Sequence, residues 1–510
     1  MEGKEKFVEA IQGSYTFKGD SILLGSAIFG EDQETGCQVK VPLKTLNRHG
    51  LIAGATGTGK TKSLQVIAEG LADAGVPVLL MDVKGDLSGI AAPGTMNPVV
   101  EKRSRLIGMD WQPCGYASEP MTISNEPGVQ LKATVSEFGP VLLGKILDLN
   151  ENQTGILSMV FKYCDDKQLP LLDIEDLKTV LKYIQEDGKE EFQKDYGFFQ
   201  TTSAGTIMRS LTGLEQQGAT RFFGEPSFDI EDLMRRSKEG KGMINILRVT
   251  DIQSNTAMFS TFMLCLLAEI FQKMPEKGDL AQPELVIFFD EAHLIFRNAT
   301  KTLLDQFEVT IKLIRSKGVG IILVTQSPDD IPAEVLGQLG LKVQHALRAF
   351  TAKDRKAIKL AAENYPLSDF YNADELITQM GTGEAMVTAL NEKGMPTELV
   401  HTLMRPPFSR MDILSPEEIE ELVRISPLVR KYNQDIDRES AHEILMERME
   451  EEDARQEREK REAQRNRPAS RGRQVRQVST FEKIMKSSVT RTVAREVTRG
   501  LLGVLGLKRR

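Results

Sequence analysis

Gly50-Leu51-Ile52-Ala53-Gly54-Ala55-Thr56-Gly57-Thr58-Gly59-Lys60-Thr61 is the stretch that decides the architecture of this chain. A short apolar run leads directly into G-x-x-x-x-G-K-T, and SLQVIAEGLADAG (63–75) then repeats apolar residues at helical spacing. VPVLLMD (76–82) returns to an apolar run. Strand, glycine-rich loop, helix and strand make a βαβ unit, hence an α/β fold with a phosphate-binding loop. Each loop position has a physical task. Gly54, Gly57 and Gly59 admit positive φ, so the backbone N–H groups of this loop, Ala55, Thr56 and Thr58 included, turn toward phosphate oxygens. Lys60 supplies a point charge for the β- and γ-phosphates and Thr61 a hydroxyl for Mg²⁺, so ATP and Mg²⁺ are the expected ligands.

Working outward, LVIFFDE (285–291) is a buried strand ending in two acids. Beside a phosphate loop, Asp290 is expected to serve the magnesium and Glu291 to activate or orient water in line with the γ-phosphate. His293 completes the letters DEAH, but no other motif of that helicase class is present, so it reads as incidental. Gln326, at the end of GIILVT (320–325), is expected to sense the γ-phosphate; the plainer alternative is an amide capping the Ser327-Pro328 turn. Asp82 opens DVKGD (82–86), where it stands either at the ligand-binding end of a parallel strand or in a turn that requires Asp and Gly anyway. Arg315, in RSKG (315–318), is either an arginine finger reaching a neighbouring subunit or a cation in the last turn of a helix. Lys317, Arg348 and Arg48 are further candidates for the finger.

Composition bounds the rest. With 510 residues, 40 % of them hydrophobic and 27 % charged, the chain has core enough for several domains, which excludes wholesale disorder, a collagen and a small disulfide scaffold. Cys37, Cys114, Cys164 and Cys265 are scattered and only five histidines exist, so neither a zinc site nor a disulfide framework is expected. MEGKEKFVEAIQG (1–13) is charged where a signal peptide is apolar, and the longest apolar run, 257–267, is too short to cross a bilayer. A cytoplasmic protein is expected. One tryptophan and 6 % aromatics offer no stacking platform for single strands. The net charge of −8 is uneven: residues 467–510 hold 12 basic against two acidic residues, leaving −18 on residues 1–466. That basic tail suits an anionic partner or a docking site on protein.

Punctuation divides the chain into a β-hairpin segment (1–44, strands within 22–28 and 38–41 around a turn at 30–36) and the first part of the core (45–95). A mainly helical insertion (96–240) precedes the second part of the core (241–405), with strands near 242–249, 285–289, 320–325 and 343–349 and a closing hairpin from 386–390 and 399–403. A charged helical extension (406–466) contains ERMEEEDARQEREKREAQRNR, which reads as a solvated helix or linker. In the tail (467–510), Val489, Val493, Val497 and Leu501 form an apolar stripe flanked by Arg491, Arg495 and Arg499.

Read together, GATGTGKT, LLMDVKGDLSG, FFGEPSFDIEDLM, FFDEAHLIF, LIRSKGVGIILVTQSPDDIP and VQHALRAFTAKDRKA resemble the bacterial HerA-like helicases with a HerA-type C-terminal domain, within the HerA/FtsK group of P-loop motor ATPases. The resemblance spans roughly residues 15–410 and the GLLG of the tail. It implies an additional-strand, RecA/FtsK-like P-loop core, homo-oligomeric rings that are usually hexamers, and ATP-driven movement on DNA. It assigns Lys60 and Thr61 to nucleotide and Mg²⁺, Asp290 and Glu291 to hydrolysis, Gln326 to sensing and Arg315 to the finger. HerA itself carries a β-barrel ahead of the motor, for which the 44 residues here are too few. Lys342 and Ala352 stand where arginine and proline are expected in close relatives. An ATPase that assembles or remodels protein without DNA, with the tail as docking arm, is the alternative. A nucleotide-binding scaffold with little turnover is disfavoured by Asp290, Glu291 and Gln326 together.

Overall fold

The computed structural model describes residues 2–465 apart from 31, 251–255, 298–300, 350, 435 and 437. The apolar stripe expected at 489–501 lies outside the described residues. The strands are β1 (Ser21–Phe29), β2 (Asp32–Pro42), β3 (Gly50–Ala53), β4 (Val78–Asp82), β5 (Ser118–Thr122), β6 (Val129–Gln130), β7 (Ile244–Arg248), β8 (Leu285–Phe289), β9 (Val319–Thr325), β10 (Leu341–His345), β11 (Glu384–Thr388) and β12 (Val400–Met404). They form one sheet in the order β2-β1-β12-β11-β10-β3-β9-β8-β4-β7-β5-β6. From β10 to β6 every neighbouring pair is parallel; from β10 to β2 every pair is antiparallel. β3, β4, β8 and β9 are buried at every position, as parallel strands covered on both faces must be, which is why they read as unbroken apolar runs. β9 lies between the loop-bearing β3 and the acid-bearing β8, the arrangement that defines the additional-strand class of P-loop core.

Helix α1 (Glu2–Tyr15) precedes the hairpin and was not visible as an element in the sequence. Phe7, Ile11 and Tyr15, spaced four apart, are buried, and the Tyr15 hydroxyl donates to Glu398 O at 2.7 Å. The turn expected at 30–36 is largely strand: β2 starts at Asp32, and its extra residues near Gly36 form a bulge where the pairing steps from Ser26–Gln38 to Ala27–Glu34.

After α2 (Lys60–Asp73) and α3 (Pro98–Ile107), the segment expected to be mainly helical first adds two strands to the sheet. β5 escapes a sequence reading because SEPMT holds Glu and Pro, both poor strand formers. Glu119 is buried there and paired with Arg235 at 2.7 Å. β6, the short edge, is closed by Asn433, whose Oδ1 accepts from Gln130 N at 3.0 Å. Then come α4 (Val135–Ile146), α5 (Glu151–Lys167), α6 (Ile174–Tyr183), α7 (Lys189–Tyr196) and α8 (Thr201–Gln216). The first three start at reciprocal caps: Thr134 with Glu137, Asn150 with Gln153, Asp173 with Asp176.

The second part of the core supplies α9 (Thr256–Lys273), α10 (His293–Arg297), α11 (Lys301–Ile314), α12 (Ala333–Leu336), α13 (Ala352–Glu363) and α14 (Ala373–Gln379). α15 (Pro416–Ile425) and α16 (Pro427–Tyr432) each begin with proline after a capping serine. The charge run forms most of α17 (Ala441–Arg465), whose exposed surface carries i,i+4 pairs such as Arg461 with Glu457 at 3.1 Å. Among the described residues no helix is long and apolar enough to cross a membrane.

Candidate active site

Parallel strands deliver their carboxyl ends to one edge, and the register fixes what meets there. Ala53 lies beside Thr325, Leu323 beside Phe289, and Phe289 beside Met81. Gly54, Asp82, Asp290 and Gln326 therefore leave the sheet as neighbours, at the edge where ligands of α/β sheets bind.

The phosphate loop is pinned on several sides. Gly54 N donates to Thr325 O at 3.3 Å, Ala55 N to Ala346 O at 2.8 Å, and Gly383 N to Thr58 O at 2.9 Å. Gly54, Gly57 and Gly59 have φ of 153°, 78° and 118°, and a Cβ at Gly54 would stand 2.5 Å from that of His345. α2 begins at Lys60, so the positive end of its dipole faces the loop. Lys60 Nζ donates to Gly54 O at 2.6 Å and Ala55 O at 3.1 Å. Burial, then the charge of Lys84, pull its pKa below the ordinary lysine range. Under the loop, His345 Nδ1–H donates to Glu384 O at 2.8 Å, so Nε2 accepts from the Ser63 hydroxyl at 2.8 Å; burial lowers this imidazole to about 4 and keeps it neutral.

Opposite the loop stands a group of acids. Thr61 Oγ1 donates to Asp86 Oδ2 at 3.4 Å. Asp86 Oδ1 and Asp290 Oδ2 are buried and have no hydrogen-bond partner among the described residues. Burial, helped by the charges of Glu291 and Asp86, raises Asp290 to about 7 against the pull of Lys84. Two orphaned carboxylate oxygens beside a threonine hydroxyl are a hard-donor set that fits Mg²⁺, which takes one or two carboxylates and completes its shell with phosphate and water. Among the described residues no cluster of three or more acid, His or Cys side chains could hold a metal alone.

Glu291 is buried with φ of 48°, an uncommon conformation for a residue with a side chain. Its Oε1 is ion-paired with Lys84; its Oε2 accepts from Gln326 Nε2 at 3.4 Å and lies 3.0 Å from His293 Nδ1. Burial alone would raise its pKa, but Lys84, His293 and Gln326 together hold it below the ordinary glutamate value. It is a fixed, ionised carboxylate at the level of the phosphate loop.

The profile of the HerA-like helicase C-terminal family matches residues 28–510. This chain belongs to that family. The DNA double-strand break repair helicase HerA of Sulfurisphaera tokodaii is 25 % identical over 393 residues, covering 73 % of this chain and 68 % of that protein. Its namesake from Sulfolobus acidocaldarius is 21 % identical over 387 residues, 75 % of this chain and 70 % of the relative. The bacterial conjugative coupling protein TrwBdeltaN70 shares the fold, with a TM-score of 0.51 at 12 % identity over 80 % of this chain and 94 % of its own. Family, sheet order and loop together describe a P-loop ATPase.

Within this HerA-like chain, the remaining sequence candidates separate. Asp82, a candidate for the catalytic set by its place at a strand end, is turned into its own turn: Oδ1 accepts from Gly85 N at 2.7 Å and Asp86 N at 3.1 Å, and Oδ2 from Leu87 N at 3.3 Å. It is fully buried, and burial raises it to about 6. Its geometry is that of a residue that shapes the turn presenting Lys84 and Asp86. Gln326 is bonded to Glu291 and not to the following turn, which Asp330 closes by accepting from Ser327 N at 3.1 Å.

Arg315 is exposed where α11 ends, four residues before Val319, the first residue of β9. The seven residues of β9 separate it from its own phosphate loop by about 20 Å, so it cannot act on that loop. Arg48 likewise ends the turn before β3. Arg348 is committed to Thr378 O at 2.7 Å and Met380 O at 3.2 Å, and Lys317 lies 5.0 Å over the Phe271 ring. Lys84 and Asp86 join the site from within DVKGD, and His293, incidental by its sequence context, stands against Glu291. Glycine at 85 between two charged residues, directly after a parallel strand, was the available signal.

Proposed function

We propose that this chain is an ATP-hydrolysing motor that works on DNA in the cytoplasm as a homo-oligomeric ring, of hexameric order in keeping with its resemblance. The observation that carries the hydrolytic part is the buried Glu291 carboxylate, fixed by Lys84 and Gln326 beside a complete phosphate loop. A protein that merely binds nucleotide has no use for such a group. The DNA part is supported by the relatives, whose names are those of DNA repair helicases.

In this reading the loop N–H groups and Lys60 bind the β- and γ-phosphates, and Thr61, Asp290 and Asp86 would hold Mg²⁺. The metal, when bound, neutralises charge that develops between those phosphates. Gln326 orients a water, and Glu291 accepts its proton as the water oxygen bonds to the γ-phosphorus and the bond to the bridging oxygen breaks. ADP leaves with the bridging electron pair, and the proton passes on to solvent. Arg315, out of reach of its own site, serves the γ-phosphate of a neighbouring subunit.

The experiment is steady-state ATP turnover of the full chain with no DNA, duplex DNA and single-stranded DNA across a salt series. The proposal expects stimulation by DNA that weakens steeply with salt, because phosphate contacts release counterions. One feature favours the alternative of a protein-remodelling ATPase: residues 1–466 carry −18, which repels DNA, while the +10 tail suits an acidic protein surface. Equal turnover with and without DNA at every salt concentration decides for that alternative.

A further inference from the structure

α13 is held in place without any help from its outer face. On its inner side Ile358, Ala361 and Ala362 pack in one cluster with Leu347, Ile377 and Met380. Its start is closed by a reciprocal cap, in which Thr351 N donates to the Asp354 carboxylate at 2.8 Å and Asp354 N to the Thr351 hydroxyl at 3.2 Å. Beyond its end, Asn364 O accepts from Lys342 Nζ at 2.8 Å, and the buried Tyr365 donates to Gln344 Oε1 at 3.3 Å. The outer face is therefore a preformed surface.

That face carries Arg355, Lys356, Lys359 and Leu360, all exposed and on one side of the helix, with Glu363 as its one acid. Among the described residues none of the three cations has an ion-pair or hydrogen-bond partner. Cations on other surface helices are paired at home: Lys312 with Glu308, Arg424 with Glu421, Arg461 with Glu457. Nor does the helix dipole explain them, since Arg355 and Lys356 stand near the positive pole, where a cation is disfavoured. Three unpaired cations are thus grouped on a chain whose first 466 residues carry −18.

Apolar surface lies among them. Leu360 is 44 % exposed, and Leu367, four residues past the helix end, is 99 % exposed. Asn364 Nδ2 donates to Leu360 O at 3.0 Å, and Leu367 follows only three residues later, within about 10 Å along the chain. We propose that the outer face of α13 and the turn after it dock an acidic segment of a partner protein, which sets carboxylates against Arg355, Lys356 and Lys359 and an apolar side chain against Leu360 and Leu367. The proposal goes beyond the motor reading and does not depend on what the motor moves. Charge complementarity selects an anionic partner. The leucines select protein over nucleic acid: a phosphate backbone is met by polar and basic groups, whereas protein interfaces combine apolar anchors with a charged rim. An amphipathic acidic helix satisfies both halves of the face.

The test is fluorescence anisotropy of the full chain with a labelled synthetic helix of glutamates bearing leucines at helical spacing, beside a polyglutamate of equal charge. The parent should bind the leucine-bearing peptide at least about fivefold more tightly than polyglutamate. Leu360→Ser with Leu367→Ser should abolish that difference, and Lys356→Glu with Lys359→Glu should weaken both peptides about tenfold or more. All four positions are exposed, and Leu367→Ser alone gives the first pattern at smaller size if the double variant folds poorly. Absence of binding, equal binding of the two peptides by the parent, or affinities unmoved in the variants overturns the proposal. Displacement of the leucine-bearing peptide from the parent by unlabelled duplex DNA overturns it as well, and assigns the face to nucleic acid.

Discussion

Lys84, in the turn after β4, is ion-paired with Oε1 of Glu291, two residues past the end of β8, so the turns that follow two neighbouring parallel strands hold one carboxylate between them. Gln326 Nε2 donates to the other oxygen at 3.4 Å, so both carboxylate oxygens are held. Lys84→Ala should lower kcat about tenfold or more while nucleotide affinity changes less than about threefold, since it removes orientation and not phosphate binding. Lys84 is 38 % exposed, and such pairs contribute at most about 1 kcal/mol, so the melting temperature should hardly move. Steady-state kinetics with a parallel melting curve checks this, and unchanged kcat contradicts it.

Asp86 should matter through magnesium. Its Oδ2 accepts from Thr61, and its Oδ1 is an orphan inside the acid group. Asp86→Asn should raise the Mg²⁺ concentration for half-maximal turnover about tenfold or more, with the rate at saturating Mg²⁺ much less affected. A Mg²⁺ titration at fixed ATP reads this directly.

Arg315 gives a prediction about subunits. Arg315→Ala should bind nucleotide and fold normally yet lose most turnover, because its charge acts on the transition state across a boundary. Mixing it with Glu291→Gln protein should restore part of the activity, since some interfaces in a mixed ring join an intact glutamate to an intact arginine. A residue that only completes a helix end predicts near-normal turnover and no restoration on mixing.

His49 links the fold to pH. Its Nε2–H donates to Ile311 O at 2.9 Å, and its Nδ1 accepts from Ile321 N at 3.1 Å. Burial, aided by the nearby Arg315 charge, lowers its pKa to about 4 from an ordinary 6.5. A lowered histidine contributes stability that is complete above the unfolded value and is lost as pH falls from 6.5 toward 4, here about 3 kcal/mol. His49→Asn tolerates the φ of 60° and should flatten this part of the pH dependence of the urea midpoint. An unchanged slope below pH 6.5 would contradict the assignment.

What could be read from the sequence was whatever sits inside one strand-and-loop unit. GATGTGKT, FFDE and VTQ each carry strand, turn and reactive group together, so their place at the sheet edge followed from parallel topology alone. What depends on register between strands was not readable. Nothing local says that Lys84 reaches Glu291, which depends on where β4 lies against β8; His293 beside Glu291 and the Asp82 bonds to Gly85, Asp86 and Leu87 are local, but they depend on backbone conformation that the residue types alone do not fix. β5 was hidden for a different reason: its Glu119 becomes a strand residue only when Arg235, far along the chain, neutralises it. The α1 helix was masked by its charges, although Phe7, Ile11 and Tyr15 already carried the four-residue spacing.

The central claim, that Glu291 makes this phosphate loop a hydrolytic site, is tested most directly by single-turnover ATP hydrolysis in Glu291→Gln beside the parent, with nucleotide affinity measured on the same preparations. Glutamine preserves size and a hydrogen bond to Gln326 but cannot take a proton. The account predicts affinity within about threefold and hydrolysis slowed at least about a hundredfold. Hydrolysis at the parental rate, with ATP bound normally, would contradict it.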